Sequence, residues 1–251
     1  MLKKFFVSLS MMMAGLSVPA TNTFHFSRLD NTHGLSNNQV ESIFRDSRGF
    51  MWIGTNFGLN RYDGYKVKVY KSVRNDSTSL IYNAIRDIQE DVDGNLWIRG
   101  NPDYVVYTIR NERFVRNLGQ LLHPLGIGFN PSLVEIGPDK SFYFCNSNGG
   151  IYKYDVTKKA LQVFQQNNST ETGGSLLSRG TVIALQATRN AFWVLHQSGL
   201  IERFNESTGM VDFRSSHVQE VSVGGSVQKN LYIDREGCPW IYPGVGDKGV
   251  I

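Results

Sequence analysis

Cysteine and charged residues are both scarce in this chain of 251 residues, which contains 2 Cys and is 19% charged. Two cysteines are too few for a small scaffold that is held together by disulfides. A charged fraction this low, combined with 12% aromatic residues, also excludes a disordered chain. The residues that are plentiful, with 25 Gly, 15 Phe and 11 Tyr, favour an all-β protein with many tight turns.

Clusters of chemically reactive side chains are absent from the sequence as well. The 5 histidines are dispersed and no Cys/His group has the spacing of a metal site, so we expect no metal and no cofactor. No Asp/Glu pair stands out away from the turns, so we predict no catalytic residue. The formal net charge is +4 and the basic residues form no dense cluster, so we expect no direct nucleic-acid binding by this chain.

The most apolar run of the chain lies at its start. Residues 1–20 combine Lys3 and Lys4, an apolar stretch from Phe5 to Leu16, and the sequence Val18-Pro19-Ala20. This pattern is typical of a secretory signal peptide, and the apolar stretch is short for a transmembrane helix. We therefore predict a signal peptide over residues 1–20 and an exported chain over 21–251. An uncleaved N-terminal membrane anchor is the alternative.

One motif recurs along the chain. The segment Asp46-Ser47-Arg48-Gly49-Phe50-Met51-Trp52 returns as Asp91-Val92-Asp93-Gly94-Asn95-Leu96-Trp97, and again from Asp234 to Trp240. Two weaker copies have their aromatic anchors at Tyr143 and Trp193. The anchors recur at intervals of roughly 45 to 50 residues, which is the period of a β-propeller blade.

Each copy of the motif predicts four short strands. In the first copy these run from Val40 to Asp46, over Met51–Ile53, over Leu59–Tyr62 and over Lys66–Tyr70. The Asp-x-x-Gly segment suits a tight hairpin turn, because Asp accepts backbone N–H groups and Gly adopts a positive φ. We therefore interpret the repeated aspartates as turn caps rather than as a catalytic set, and we predict a β-propeller.

The repeat residues receive structural roles in this interpretation. We expect the Trp and Tyr anchors to pack between neighbouring blades, and Gly54 to permit a close backbone approach. The structural set comprises Asp46, Gly49, Trp52, Gly54, Gly58, Tyr62, Asp91, Gly94, Trp97, Trp193, Asp234, Gly237 and Trp240. Because Cys145 and Cys238 occupy non-equivalent places in the repeat, we expect two free, mostly buried thiols, with a disulfide between them as the alternative.

The length of the chain limits the number of blades. At roughly 45 residues a blade, residues 21–251 hold about four complete blades and a truncated fifth. We therefore predict an incomplete seven-bladed propeller. Because an open set of blades exposes strand edges and an apolar face, we expect the chain on its own to be poorly soluble.

The first copy also resembles a known family. Trp52-Ile53-Gly54-Thr55 followed by Gly58-Leu59-Asn60-Arg61-Tyr62-Asp63 resembles the two-component-regulator propeller repeat. The segment from Phe26 to Val40 resembles the opening of the periplasmic sensor in hybrid two-component systems. The resemblance implies a homodimeric parent with a second propeller, a β-sandwich domain, a membrane helix and an intracellular histidine kinase.

The same resemblance implies a function and a location. Sensors of this family lie on the periplasmic side of the inner membrane, detect oligosaccharides released from glycans, and control polysaccharide-utilisation genes through a phosphorelay. Any kinase activity would belong to the parent, and we predict that this chain is not an enzyme. Two alternatives are an exported protein-interaction scaffold and a polysaccharide lyase or glycosidase, which would need a pair of carboxylates at one site.

The loops on one face of a propeller are where a ligand would bind. Loops between the second and third strands of each blade, and loops between blades, gather around the axis on the same face. Amide, charged and aromatic side chains there could bond sugar hydroxyls and stack on sugar rings. The candidates are Asn56, Tyr82, Arg99, Asn101, Asp103, Tyr104, His196 and Gln197. Arg99 is the clearest candidate, because it occupies the position where the first copy of the motif has the small residue Gly54. A salt bridge to Asp103 would explain Arg99 equally well.

Overall fold

The described residues form four four-stranded antiparallel sheets and one two-stranded sheet. The computed structural model describes residues 26–101, 103–164, 166, 176–216 and 229–243, so the predicted signal peptide over 1–20 lies outside the described residues. Among these residues, helix occurs in the short α1 (Gly119–Leu122) and in two 3-10 turns, Asn31–His33 and His123–Leu125.

Each four-stranded sheet is one blade, and its strands pair in sequence order. Blade 1 contains β1 (Val40–Arg45), β2 (Met51–Thr55), β3 (Gly58–Tyr62) and β4 (Val67–Tyr70). Blade 2 contains β5 (Asp87–Glu90), β6 (Leu96–Arg99), β7 (Tyr104–Thr108) and β8 (Arg113–Val115). Blade 3 contains β9 (Leu133–Ile136), β10 (Phe142–Cys145), β11 (Ile151–Asp155) and β12 (Ala160–Phe164). Blade 4 contains β13 (Val182–Ala187), β14 (Ala191–His196), β15 (Ile201–Asn205) and β16 (Met210–Ser215), and the last sheet pairs β17 (Lys229–Ile233) with β18 (Pro239–Pro243).

The five sheets are arranged around a shared channel. The first strands of neighbouring sheets contact one another, and residues of β1, β5, β9, β13 and β17 line one cavity of about 920 Å³. Ile43 in β1 is 65% exposed, whereas Ile88, at the equivalent place in β5, lines the same cavity but is buried between blades 1 and 2. The predicted all-β propeller of four-stranded blades is therefore confirmed, while the number of blades in the whole ring stays a prediction.

The turn between the first two strands of blade 1 explains the spacing of the motif. Asp46 Oδ1 accepts hydrogen bonds from the backbone N–H groups of Arg48 and Phe50, at 3.1 and 2.9 Å. Asp46 Oδ2 accepts a 2.9 Å hydrogen bond from Trp52 Nε1. Gly49 adopts a φ of +92°, as the turn requires. The interpretation of the aspartate as a turn cap is confirmed, and the same carboxylate also fixes the indole ring.

The same arrangement recurs where the motif is complete. Asp91 Oδ2 accepts a 3.2 Å hydrogen bond from Trp97 Nε1, and Asp234 Oδ2 accepts one of 2.7 Å from Trp240 Nε1. Blade 3 differs because it has no indole: the Tyr143 hydroxyl donates instead to Glu206 Oε1, at 2.5 Å. The weaker copy of the motif therefore keeps its anchor by a bond to the next blade.

The anchors pack between blades, as predicted. The ring centroid of Trp52 lies 5.3 Å from that of Tyr107 in blade 2. Equivalent contacts join Trp97 to Phe142 in blade 3 at 5.2 Å, and Tyr143 to Phe192 in blade 4 at 5.6 Å. Trp193 belongs to one apolar cluster with Ile233 and Ile241 of the last sheet.

Trp240 is the exception among the anchors. Its side chain is 46% exposed, and Tyr232 and Tyr242 beside it are 51% and 40% exposed. Each preceding anchor is covered by the sheet that follows it, whereas the described part of the chain contains no sheet beyond β18. The exposed aromatic face of β17 and β18 therefore corresponds to the surface that is buried in every other blade.

Gly54 and the two cysteines were each given an expected environment from the sequence. A Cβ atom at Gly54 would lie 2.7 Å from Ile85 Cγ2, so the close approach between blades 1 and 2 requires glycine there. Cys145 and Cys238 are both free, which excludes the disulfide alternative. The expectation that both thiols are mostly buried is wrong for Cys238, because it lies in the exposed turn between β17 and β18.

Replacement of the turn carboxylate in blade 1 tests its double role. Asp46→Asn keeps an acceptor for the turn but loses the carboxylate oxygen that receives Trp52 Nε1, within a site that is 4% exposed. We expect a loss of about 1–3 kcal/mol in the free energy of unfolding, measured by urea denaturation. Asp234→Asn is the matched control: it removes the same bond beside a half-exposed indole, and it should cost much less. Equal losses in the two variants would contradict this account.

Candidate functional site

The connections predicted to share one face of the propeller do so. The connection before β1 contacts the β2–β3 loop through a 2.8 Å hydrogen bond between the hydroxyls of Ser36 and Thr55. In blade 4, the backbone N–H of Gln197 donates to the carbonyl oxygen of Thr181, at 2.8 Å. We call the face that holds these connections the upper face, and the face that holds the Asp-x-x-Gly turns the lower face.

At the upper end of the channel, an ion pair links blades 1 and 2. Arg86 Nη1 lies 3.0 Å from Glu41 Oε2, and the Glu41 side chain is 7% exposed. Asn56, one of the predicted ligand residues, donates from Nδ2 to Glu41 Oε1 at 3.1 Å. The structure therefore places Asn56 at the channel mouth, where it stabilises a carboxylate that is already paired with Arg86.

The β6–β7 loop brings together four of the predicted residues. Arg99 ends β6 and lines the channel, and Asn101 and Asp103 follow it as exposed residues. Tyr82, 36% exposed, lies against the same loop: its Cδ2 would be 3.3 Å from a Cβ placed on Gly100. These residues meet at the β6–β7 loop, where Arg99 lines the channel and Tyr82 comes from the connection between blades 1 and 2.

Arg99 does not form the salt bridge with Asp103 that was the alternative explanation for its position. Within the described ranges, its guanidinium has neither a hydrogen bond nor an ion pair, although its side chain is partly buried. Its cross-strand neighbour Asp87 accepts from Gln89 Nε2 at 2.8 Å through Oδ2 and forms no ion pair with Arg99 in the described ranges. Arg99 therefore lines the channel as a cation without a protein partner in the part of the chain that the structure describes.

Tyr104 lies inside strand β7 rather than in the loop. It is 3% exposed, and its hydroxyl oxygen accepts a 3.0 Å hydrogen bond from the backbone N–H of Val134 in blade 3. Burial raises the pKa of Tyr104 well above its usual range. Tyr104 therefore joins blades 2 and 3 below the group around Arg99, and its ring is not presented to solvent.

His196 and Gln197 lie on blade 4, apart from the group on blade 2. His196 is buried at the end of β14, and its Nε2 lies 2.9 Å from Glu202 Oε2. Glu202 also accepts hydrogen bonds from Ser178 and Arg214, at 2.9 and 2.7 Å. Burial alone would raise the pKa of Glu202, but these donors outweigh it and hold the pKa at about 2. His196 therefore belongs to a buried network, and only Gln197 is exposed to solvent.

One set of channel residues was not predicted from the sequence. Gln89 Oε1 accepts from the backbone N–H of Ile136 at 2.6 Å, and Glu135 Oε1 accepts from that of Ala187 at 3.2 Å. Gln186 Oε1 accepts from the N–H of Ile233 at 2.8 Å. In each case a side chain on the first strand of one blade bonds the first strand of the next.

The three residues occupy equivalent positions in their blades. Gln89, Glu135 and Gln186 are the cross-strand partners of Trp97, Tyr143 and Trp193, respectively. An alignment of the repeats would place them in one column, which is the signal that could have found them. In blade 1 the column contains Phe44, opposite Trp52, and no equivalent bond is formed in the described ranges.

Glu135 is the acidic member of this column. Its burial and the nearby charge of Asp87 raise its pKa to about 8. Gln89 Nε2 donates to Glu135 Oε2 at 3.2 Å and to Asp87 at 2.8 Å, so the two carboxyl groups share one amide. At neutral pH the Glu135 side chain is therefore mostly uncharged, and it serves the same acceptor role as the two glutamines.

The described residues contain neither a candidate metal site nor a candidate membrane-spanning helix. In the ranges that the structure describes, no group of three or more His, Cys, Asp or Glu residues could hold a metal ion. Among the same residues, no helix has the length and apolarity needed to cross a bilayer.

The first two copies of the repeated motif lie in segments that are similar to known proteins. The family model described as two component regulator propeller matches residues 34–57 and 79–101. These ranges contain the first hairpin of blade 1 and the corresponding hairpin of blade 2, each with the connection before it. The chain is also 39% identical over 66 residues to Histidine kinase P4 of Formosa agariphila, a match that covers 26% of this chain and 5% of that protein.

Two solved structures share the fold. One is the extracellular domain of the hybrid two component system BT3049 from B. thetaiotaomicron, with a TM-score of 0.56 and 22% identity. The other is the extracellular domain of the one component system BT4673 from the same organism, with a TM-score of 0.53 and 23% identity. The matches cover 88% and 86% of this chain but 29% and 30% of those chains, so this chain spans less than a third of each relative.

The pH dependence of stability tests the raised pKa of Glu135. Because folding raises this pKa from 4.5 to about 8, the stability that the group contributes is complete below pH 4.5 and is lost as the pH rises to about 8. We expect Glu135→Gln to remove this fall from the free energy of unfolding, measured by urea denaturation across that range.

The exposed Glu236 supplies the control, because Glu236→Gln changes the net charge equally in the β17–β18 turn. Its stability should follow the wild-type pH dependence. The assignment fails if Glu135→Gln and the wild-type chain keep a constant difference in stability between pH 4.5 and 8.

Proposed function

We propose that this chain, which carries two-component regulator propeller repeats in blades 1 and 2, is an extracytoplasmic ligand-sensing propeller of a hybrid two-component regulator. The observation that carries the proposal is the family-model match over residues 34–57 and 79–101. The shared fold with two extracellular domains of signalling proteins supports it. The chain would work by binding a ligand, with the signalling reaction performed elsewhere in the parent.

The ligand class that suits the upper face is an oligosaccharide from a complex glycan. Asn101, Asp103 and Arg99 supply donors and acceptors for hydroxyl groups around the channel mouth. The ring of Tyr82 is exposed beside them and could stack on the apolar face of a sugar. The sheets below hold this loop rigidly, because Gly100 N–H donates to the carbonyl oxygen of Asp103 at 2.8 Å and Tyr104 is fixed to blade 3.

The rest of the signalling machinery would lie outside this chain. Because the chain spans 5% of Histidine kinase P4 and less than a third of the two solved relatives, we assign the kinase, the membrane helix and the remaining sensor domains to a larger parent. The parent would be a homodimer that controls polysaccharide-utilisation genes through a phosphorelay. This chain would lie on the periplasmic side of the inner membrane.

The exposed aromatic face of β17 and β18 bears on the scaffold alternative. An exposed apolar surface that contains Tyr232, Trp240 and Tyr242 is suited to contact with another protein surface. The four earlier anchors are each buried against a following sheet, so a further blade of the same parent fits this face better than an unrelated partner. The proposed domain is therefore part of a larger propeller.

The shared contacts of Asp87 and Glu135 bear on the enzyme alternative. Two carboxyl groups that share one amide have the composition of an acid–base pair for glycan cleavage. However, Glu135 occupies a column in which Gln89 and Gln186 make the same bond between blades. The repeated role favours structure over catalysis for this pair.

Thermal denaturation of the whole chain with a panel of neutral and acidic tetrasaccharides tests the sensing proposal. At least one should raise Tm, because a ligand that binds the folded state stabilises it. Tyr82→Ala should weaken the rise. Tyr65→Ala is the matched control, since Tyr65 is 93% exposed in the β3–β4 turn on the lower face, and it should leave the rise unchanged.

Two outcomes would contradict the proposal. If no oligosaccharide raises Tm, the glycan-sensing function is wrong. If mass spectrometry shows cleavage of a glycan by the chain, and Glu135→Gln abolishes the cleavage, the enzyme alternative is correct.

A further inference from the structure

The end of the second strand is packed differently in blade 2 than in its neighbours. The residue two positions after the anchor is Gly54 in blade 1 and Cys145 in blade 3, and both are buried. At Gly54 there is no room even for a methyl group, because Ile85 of the next blade fills the space. In blade 2 the same position holds Arg99, whose longer side chain lines the open channel.

In the part of the chain that the structure describes, the surrounding acidic groups form no ion pair with this guanidinium. Glu41 is paired with Arg86 at 3.0 Å, and Asp87 accepts from Gln89 at 2.8 Å. Within the described ranges, no acceptor lies within bonding distance of the Arg99 side chain. A partly buried guanidinium has lost water without gaining an acceptor, which costs free energy. A ligand group that supplies the acceptor would recover this cost.

We propose that Arg99 forms an anion subsite at the channel mouth and that the ligand carries a carboxylate or sulfate group. The inference rests on the proposed sensing function and narrows its ligand class to acidic oligosaccharides. A guanidinium offers five N–H donors and no acceptor, and its planar fork matches the two oxygens of a carboxylate or sulfate. Neutral sugar hydroxyls would satisfy it less completely.

The electrostatics of the channel are compatible with an anion. Three acidic residues line the cavity: Glu41, Asp87 and Glu135. The charge of Glu41 is compensated by Arg86, and the raised pKa of Glu135, about 8, leaves that group mostly uncharged at neutral pH. Asp87 accepts a hydrogen bond from Gln89. With Arg99 opposite Asp87, the mouth carries no excess of negative charge that would repel the ligand.

Inorganic sulfate is the probe that tests the subsite without a glycan. The Tm of the chain is measured in sulfate and in chloride at equal ionic strength, for the wild type and for Arg99→Gln. We expect the extra stabilisation by sulfate to fall in Arg99→Gln. Arg189→Gln is the control, because Arg189 is exposed in the β13–β14 turn on the lower face. This variant should show the same rise of Tm in sulfate as the wild type. An equal sulfate increment in all three proteins overturns the subsite.

Oligosaccharides then test the ligand class and separate its two sources of charge. Calorimetry would use tetragalacturonate for the carboxylate, a chondroitin sulfate tetrasaccharide for the sulfate, and cellotetraose as the neutral probe. We expect Arg99→Gln to weaken binding of an acidic probe about tenfold or more, because charge-assisted hydrogen bonds are lost. Arg99→Lys keeps the charge but loses the planar guanidinium, so its affinity for an acidic probe should lie between those of the wild type and Arg99→Gln.

The outcomes distinguish this inference from the proposed function. Binding of cellotetraose alone would support sensing and overturn the anion subsite. Acidic probes that bind Arg99→Gln as tightly as the wild type would also overturn it. If no glycan binds, the sensing function is wrong, and the sulfate experiment still decides whether Arg99 holds an anion.

Discussion

In blade 1 one carboxylate caps the hairpin turn and also binds the indole N–H of the anchor that packs against blade 2. Asp46 is 4% exposed and accepts from its own turn and from Trp52, and the Trp52 ring then contacts Tyr107 of the next blade. A local turn is thereby coupled to an interface between blades. Because the same coupling recurs at Asp91, the packing of blade 2 on blade 1 and of blade 3 on blade 2 each depends on the turn of the preceding blade.

This coupling lies at the lower face, and the loops of the upper face take no part in it. The first strands are joined across the channel by the column of Gln89, Glu135 and Gln186, so the channel walls are fixed by side chains rather than by a continuous sheet. Loops that follow the strands of the channel can contain polar residues that make no contact needed for folding. Arg99 is one of these, whereas Asn56 is committed to Glu41.

The repeat made the blades, the turn caps and the packing of the anchors predictable, because the Asp-x-x-Gly-x-x-Trp motif is local and its period is clear. Tyr104 and His196 were predicted as loop residues but lie in strands, since strand ends depend on pairing partners that the sequence does not show. The Gln89 column was missed because its hydrogen bonds join residues of different blades, and polar residues on a first strand resemble solvent-facing ones. Whether Arg99 pairs with Asp103 likewise depends on side-chain directions that no motif encodes.

The central proposal is that a glycan ligand binds at the β6–β7 loop beside the channel. Hydrogen–deuterium exchange of the whole chain, with and without the oligosaccharide that raises Tm most, measures this directly. The account predicts slower exchange at the amides of Gly100, Asn101 and Asp103, and no change at the β13–β14 turn on the lower face. Slower exchange confined to the lower-face turns, or no change at the β6–β7 loop, would contradict it.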